Sequence, residues 1–381
     1  MTALGRFEAQ LAATLAELQR AGLWRQMRPP HGIDLVSNDY LGLAEHPYLV
    51  ERMRSALLRL PAGSGGSRLL RGHHQAFADV EERLAAFSGA QTALLFGSGY
   101  AANIGLLQAI VGPEDLLVSD ERNHASLIDG IRLTKAKTAI YPHQDIDALS
   151  AALKTQAPRT GRAIVMTESV FSMDGDLTPL VDIVSIAEKQ GAVVIVDEAH
   201  ATGLYGARGS GRVEELGLRG RVLATMHTGG KALGSGGAWI AGSVALRDVL
   251  VNRARSFIFS TAPLPVLAAA LDAALDLLER EPRRRSEVHR KSALLRRALS
   301  EAGVPAGGQS PIVPVIAGVN EAAMALQSGL FAAGFDVRAI RPPTVAPGSA
   351  RLRVTVRYPV ADDDLRRFAL EVARLLHLRA A

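Results

Sequence analysis

The stretch Ala192-Val-Val-Ile-Val-Asp197-Glu-Ala-His200 is a short apolar run that ends on an acid, and a second run, Val222-Leu-Ala-Thr-Met226, leads into His227-Thr-Gly-Gly-Lys231. Both runs have strand length, and glycine or polar residues punctuate their ends. The first strand carries a carboxylate to a sheet edge and the second delivers a lysine beside it. An acid that can hold a pyridinium nitrogen protonated, facing a lysine that can hold an aldehyde, reads as a pyridoxal phosphate (PLP) site. Ala232 follows Lys231, so the Gly-Lys-Ser/Thr of an ATPase phosphate loop is excluded.

Outward from this pair, short apolar runs alternate with helical patterns: Thr92 to Phe96, Asp115 to Val118, Ala163 to Thr167, and Ala238 to Ala241 join the two strands above. Such alternation predicts an α/β fold, a mostly parallel sheet covered by helices on both faces, with ligands at the carboxyl ends of the strands. After Pro263 and Pro265 come two long helical stretches, then strands over Pro311–Ile316, Asp336–Ile340 and Arg351–Val356, and a helix over Asp362–Leu376. The expected division is an N-terminal arm and helix (1–47), a large PLP-binding domain (48–265) and a smaller α+β domain (266–381).

With 381 residues, 48% of them hydrophobic and 21% charged, the chain has ample material for a large core and a second unit. The first helix repeats Phe7, Leu11, Leu15 and Leu18 but carries Glu8 and Glu17, unlike a secretory signal. No run approaches membrane-spanning length. The absence of cysteine rules out disulfides and thiolate chemistry and makes the cytoplasm the expected location. A net charge of +5 is modest, and the basic stretch from Arg283 to Arg297 reads as a solvated helical face, with no interleaved aromatics for nucleic-acid bases. No metal is expected.

Phe96-Gly-Ser-Gly-Tyr-Ala-Ala-Asn103 follows a strand and opens a helix, so free N–H groups and the helix dipole can meet a phosphate. It also fits the dinucleotide fingerprint with Asp120 downstream, which keeps a nicotinamide-dependent dehydrogenase as a rival reading. That rival leaves Lys231 and Asp197 without a role. His124 can lie on the face of a pyridine ring, and His200 can donate to its phenolic oxygen. Lys231, once displaced from the cofactor, is suited to taking a substrate Cα proton.

Five ordered segments, Ser37-Asn-Asp-Tyr-Leu-Gly-Leu43, Gly63-Ser-Gly-Gly-Ser-Arg68, Glu168-Ser-Val-Phe-Ser-Met-Asp-Gly-Asp176, Asp197-Glu-Ala-His-Ala-Thr-Gly203 and the Lys231 segment, resemble the α-oxoamine synthases. The likeness runs from about residue 33 to 360. It implies the PLP-dependent transferase fold of type I, with a mostly parallel seven-stranded sheet in the large domain. It also implies decarboxylative condensation of an amino acid with an acyl thioester.

Ala339-Ile-Arg-Pro-Pro-Thr-Val345 with Gly348-Ser-Ala-Arg-Leu-Arg353 resembles the branch that joins L-alanine to a pimeloyl thioester in biotin synthesis, with coenzyme A or an acyl carrier protein as carrier. Glycine C-acetyltransferase and 5-aminolevulinate synthase are the neighbouring alternatives, and a non-catalytic PLP-binding regulator is a further one. The resemblance implies that Gly99, Tyr100, Ser172, His200 and Thr228 contact the cofactor, and that His124 contacts both ring and substrate. It implies Asn38 and Arg353 for the amino-acid carboxylate, and Thr344 and Arg25 as further substrate positions. A homodimer follows on the same grounds, with Phe259-Ser-Thr-Ala262 near the partner's phosphate. One departure is Met226-His-Thr-Gly-Gly-Lys231, where relatives often have Thr-Phe-Gly/Ser-Lys.

Overall fold

Twelve strands run through the computed structural model, which describes residues 1–156 and 160–380. They are β1 (Ile33–Asp34), β2 (Thr92–Phe96), β3 (Leu116–Asp120), β4 (Lys137–Tyr141), β5 (Ala163–Glu168), β6 (Ala192–Asp197), β7 (Ala224–Thr228), β8 (Ala238–Gly242), β9 (Ile312–Gly318), β10 (Phe335–Asp336), β11 (Arg338–Ile340) and β12 (Ala350–Thr355). The chain forms two compact units, one of residues 38–172 and 176–288, the other of residues 1–37, 173–175 and 289–381.

The first unit holds a seven-stranded sheet in the order β2-β8-β7-β6-β5-β3-β4. All neighbouring pairs are parallel except those of β8, which runs antiparallel to β2 and β7. Alternate strand residues enter two separate cores, as the period of a strand requires. Ile164, Met166 and Ile195 pack with Leu106 and Leu107 of the helix Gly99–Ile110 on one face. Val165, Val194 and Val196 pack with Leu149, Leu180 and Ile183 on the other.

The helix Val266–Arg280 belongs to this first unit, beyond the boundary expected at Pro265. Its Asp272 and Asp276 hold Arg52 and Arg83, with Arg52 to Asp272 at 2.5 Å and Arg83 to Asp276 at 3.0 Å. The helix is thereby tied to two earlier helices, Pro47–Leu57 and Gln75–Ser88, that carry those arginines.

The second unit contains the antiparallel sheet β11-β12-β9 and a parallel pair, β1 with β10. The N-terminal residues 1–37 join it rather than standing apart, because Leu35 packs with Val313, Val315 and Phe335. Residues 173–175 join it too. Asp174 forms an ion pair with Arg351, and the Gly175 carbonyl accepts from the N–H groups of Gln309 (2.8 Å) and Ser310 (2.9 Å). In the first helix, Ala3–Arg20, no residue is buried, and Phe7, Leu11 and Leu15 are exposed.

The basic stretch is less solvated than expected. Arg285 donates to the Ala207 carbonyl (2.8 Å), Arg290 pairs with Asp362 (2.8 Å), and Lys291 donates to the carbonyls of Tyr358 and Val360 (2.5 and 2.6 Å).

Candidate active site

Parallel strands aligned side by side bring their carboxyl ends to one edge, and here the ends of β5, β6 and β7 lie next to one another. A cavity of about 180 Å³ opens at that edge, entirely within the first unit. Of the residues singled out from the sequence, Gly99, Tyr100, His124, Asp197, His200, Thr228 and Lys231 all line it.

Lys231 sits in a loop held from both sides. The Gly234 N–H donates to the Lys231 carbonyl (2.9 Å), and the Gly229 N–H donates to the Gly237 carbonyl (3.0 Å). Gly234 has a φ of +58°, and a β-carbon there would collide with the backbone of Leu43 and Ala44. Only glycine suits both conditions. Thr228 Oγ1 donates to the Gly237 carbonyl (2.9 Å) and accepts from the Gly230 N–H (3.2 Å). The departure at His227 does not enter the cavity lining. That ring is buried, stacked on Trp239 at 5.0 Å between centroids, and lies between Thr202 and Thr225 hydroxyls. Burial drives its pKa down to about 3, so it is a neutral core histidine.

Asp197, last residue of β6, is fixed by two donors: the Asn103 amide at 2.9 Å and the Ala199 N–H at 2.8 Å. The same Asn103 amide reaches Ser126 Oγ (2.9 Å), which lies 2.8 Å from His124 Nδ1. One network thus orients both the acid and His124. His124 keeps accessible surface toward the cavity while protein crowds the rest of its ring. Desolvation, chiefly, lowers its pKa; the Lys231 ammonium acts the same way and the Asp197 carboxylate opposes it. His200 Nδ1 is 2.7 Å from the Tyr40 hydroxyl.

Gly99 and Tyr100 open the helix Gly99–Ile110, whose N-cap Ser98 accepts from the Ala101 N–H. The helix N-terminus, Asp197 and Lys231 therefore share one small cavity. That donor set fits PLP: a positive pole for phosphate, a carboxylate for a cationic ring nitrogen, and an amine for the aldehyde.

The other sequence candidates lie outside the cavity lining. Asn38 is half-buried, and its Oδ1 lies 3.4 Å from the Tyr40 hydroxyl. Ser172 is in the loop after β5. Arg25, Thr344 and Arg353 belong to the second unit. Arg25 and Arg341 line a cavity of about 440 Å³ there, and Arg25 donates to the Pro342 carbonyl (3.4 Å). Thr344 is exposed, and Arg353 is buried on β12 with Nη1 2.9 Å from Thr355 Oγ1.

Sequence reasoning passed over Tyr40, Asn103, Ser126 and Glu168 as individual contributors. Signals for them were present. Asn103 follows Gly99 by four residues, hence on the same helix face, Tyr40 and Glu168 stand inside motifs already singled out, and Ser126 lies two residues after His124.

The aminotransferase class I and II family matches residues 30–370. An 8-amino-7-oxononanoate synthase of Geobacter sulfurreducens is 42% identical over 96% of this chain and 97% of its own length. One from Mycolicibacterium smegmatis is 43% identical over 96% of each chain. Among solved structures, serine palmitoyltransferase from S. paucimobilis, with PLP and myriocin bound, superposes with a TM-score of 0.91 at 25% identity over 100% of both chains. The 8-amino-7-oxononanoate synthase from Francisella tularensis gives 0.78 at 25% identity, covering 92% of this chain and 99% of that one. Lysine, acid and helix N-terminus converge as a PLP enzyme of fold type I needs, and the chain belongs to the class I and II aminotransferase family, within its 8-amino-7-oxononanoate synthases.

Proposed function

We propose that the protein condenses L-alanine with a pimeloyl thioester, releasing carbon dioxide and the thiol and yielding 8-amino-7-oxononanoate for biotin synthesis. The observation that carries this reading is the meeting of Lys231 and Asp197 in one cavity, in a chain so similar to 8-amino-7-oxononanoate synthases over nearly its full length.

PLP, when bound, supplies an aldehyde for amines and a ring that draws electrons from the attached Cα. In this reading Lys231 Nζ holds the cofactor and, once displaced by alanine, removes the Cα proton and later returns one. The Asp197 carboxylate faces the ring nitrogen and favours its charged form by opposite charge. Gly99, Tyr100 and the helix N-terminus take the phosphate, and Ser172 and Thr228 are further cofactor contacts. His200, oriented by Tyr40, donates to the phenolic oxygen. His124 would hold the ring by its face and contact the substrate. The family likeness assigns Asn38 and Arg353 to the alanine carboxylate and Thr344 and Arg25 to further substrate positions.

The working form is a cytoplasmic homodimer. Exposed Phe7, Leu11 and Leu15 on the first helix and Phe259, 72% exposed, support an apolar interface. No helix among the described residues is long and apolar enough to cross a membrane.

The test is the near-ultraviolet and visible spectrum of the purified protein, then product formation from L-alanine with pimeloyl-, acetyl- or succinyl-coenzyme A. A PLP band and turnover with pimeloyl-coenzyme A alone are expected. Preference for acetyl or succinyl donors transfers the protein to a neighbouring branch.

A further inference from the structure

Three acids crowd the carboxyl edge of the large sheet, and two of them are fully provided with donors. Asp197 has Asn103 and Ala199. Glu198, completely buried, accepts from Ser169 Oγ (2.6 Å), the Val213 N–H (2.6 Å) and the Arg212 N–H (3.1 Å). Glu168 differs. It ends β5 in direct register with Asp197, so the two side chains leave neighbouring parallel strands on the same face. It is 3% exposed, lines the cavity with Lys231 and His124, and its Oε1 has no hydrogen-bond partner among the described residues.

A carboxylate in that position would be a second buried negative charge beside Asp197, with one oxygen unsatisfied. A carboxylic acid is different in kind. It carries one O–H, and therefore a donor that a carboxylate lacks.

We propose that Glu168 works as a neutral carboxylic acid whose O–H donates a hydrogen bond to an oxygen acceptor on the small molecule bound in this cavity. The proposal rests on reading the cavity as the PLP and alanine site. Two carboxyls side by side then divide the work: Asp197 meets a cation, Glu168 meets an oxygen. Adjacent titratable groups in unlike environments mark such a division of roles. The electrostatics agree. Burial first, then the charges of Asp197 and Asp120, push the Glu168 pKa well above the carboxylate range. The Lys231 ammonium and the His124 backbone N–H act against this.

Infrared difference spectroscopy on the full chain, wild type minus Glu168→Gln, tests it in three states: apo, with PLP, and with PLP and L-alanine. A protonated carboxyl band is expected at neutral pH in the apo protein, moving to lower frequency in one of the loaded states. Its absence, or one frequency in all three states of protein that holds lysine-bound PLP, overturns the proposal. Glu168→Gln retains a donor and should keep PLP and alanine affinity close to wild type. Glu168→Leu removes it and should weaken one of them about tenfold, the equivalent of one well-placed hydrogen bond. Unchanged affinity in a folded Leu variant also overturns it. A carboxyl band in protein that forms no lysine-bound PLP would instead sink the cofactor reading and leave the neutral acid standing.

Discussion

The Tyr40 hydroxyl lies 2.7 Å from Nδ1 of His200, and the two rings meet edge-on with centroids 6.2 Å apart. A hydroxyl that donates to Nδ1 leaves the proton on Nε2, the tautomer in which His200 can donate to a phenolic oxygen. Tyr40→Phe keeps the buried ring and deletes this bond. It should lower kcat about tenfold and alter the absorption of bound PLP, at a stability cost of about 1 kcal/mol. Identical spectra and rates would show that His200 needs no such orientation.

Lys231→Ala removes the lysine that lines the cavity. Fold and loose PLP binding should persist, whereas the borohydride-reducible PLP adduct and essentially all turnover should vanish. Peptide mapping of the reduced wild-type protein checks the attachment point; an adduct on any other peptide refutes it.

On β12 the two arginines that share a face have different surroundings. Arg351 is ion-paired with Asp174, whereas Arg353 Nη1 meets the neutral hydroxyl of Thr355. In the proposed reading Arg353 clamps the substrate carboxylate. Arg353→Lys keeps the charge but not the planar fork. The alanine KM should rise about tenfold, with PLP occupancy unchanged and Cα deprotonation slowed. Stopped-flow spectra with wild-type alanine affinity and rate would pass the role to Arg341.

His143 lies between two carboxylates, 2.9 Å from Asp120 and 2.6 Å from Asp176, with the Phe171 ring against it. Burial opposes its charge, but hydrogen bonds and attraction to both acids prevail and raise its pKa from 6.5 to about 9. A raised pKa means that folding favours the protonated form. The contribution, on the order of 3 kcal/mol, is complete below about pH 6.5 and is lost as pH climbs toward 9. His143→Gln should lower Tm at pH 6.5 and flatten the decline between pH 7 and 9. Parallel Tm curves for wild type and variant would refute the charged bridge.

Most of the large sheet was legible because its central strands are apolar runs closed by polar residues. Lys137–Tyr141 escaped that reading. It is the edge strand β4, with Lys137, Thr138 and Ile140 exposed, so it lacks the continuous apolar character of its neighbours. The domain boundary was misread for a related reason: Pro263 and Pro265 break the pattern locally, but membership of a unit depends on distant partners such as Arg52 and Arg83. At the site, residue type and strand position placed Lys231, Asp197 and His200 at one sheet edge, and the three line one cavity there. The orienting roles of Tyr40 and Asn103 were not legible, because spacing and motif place such residues near the site but only a contact shows which group each one orients.

The pairing of β1 with β10 has a consequence for biosynthesis. Ile33 cannot meet Phe335 until about 300 more residues have left the ribosome, which at ordinary translation speeds takes on the order of 15 to 60 s. Residues 38–288 can meanwhile collapse around their own sheet. The β1 segment and the adjoining Leu35 must wait uncovered, so nascent chains stalled before residue 335 should be the species that chaperones hold.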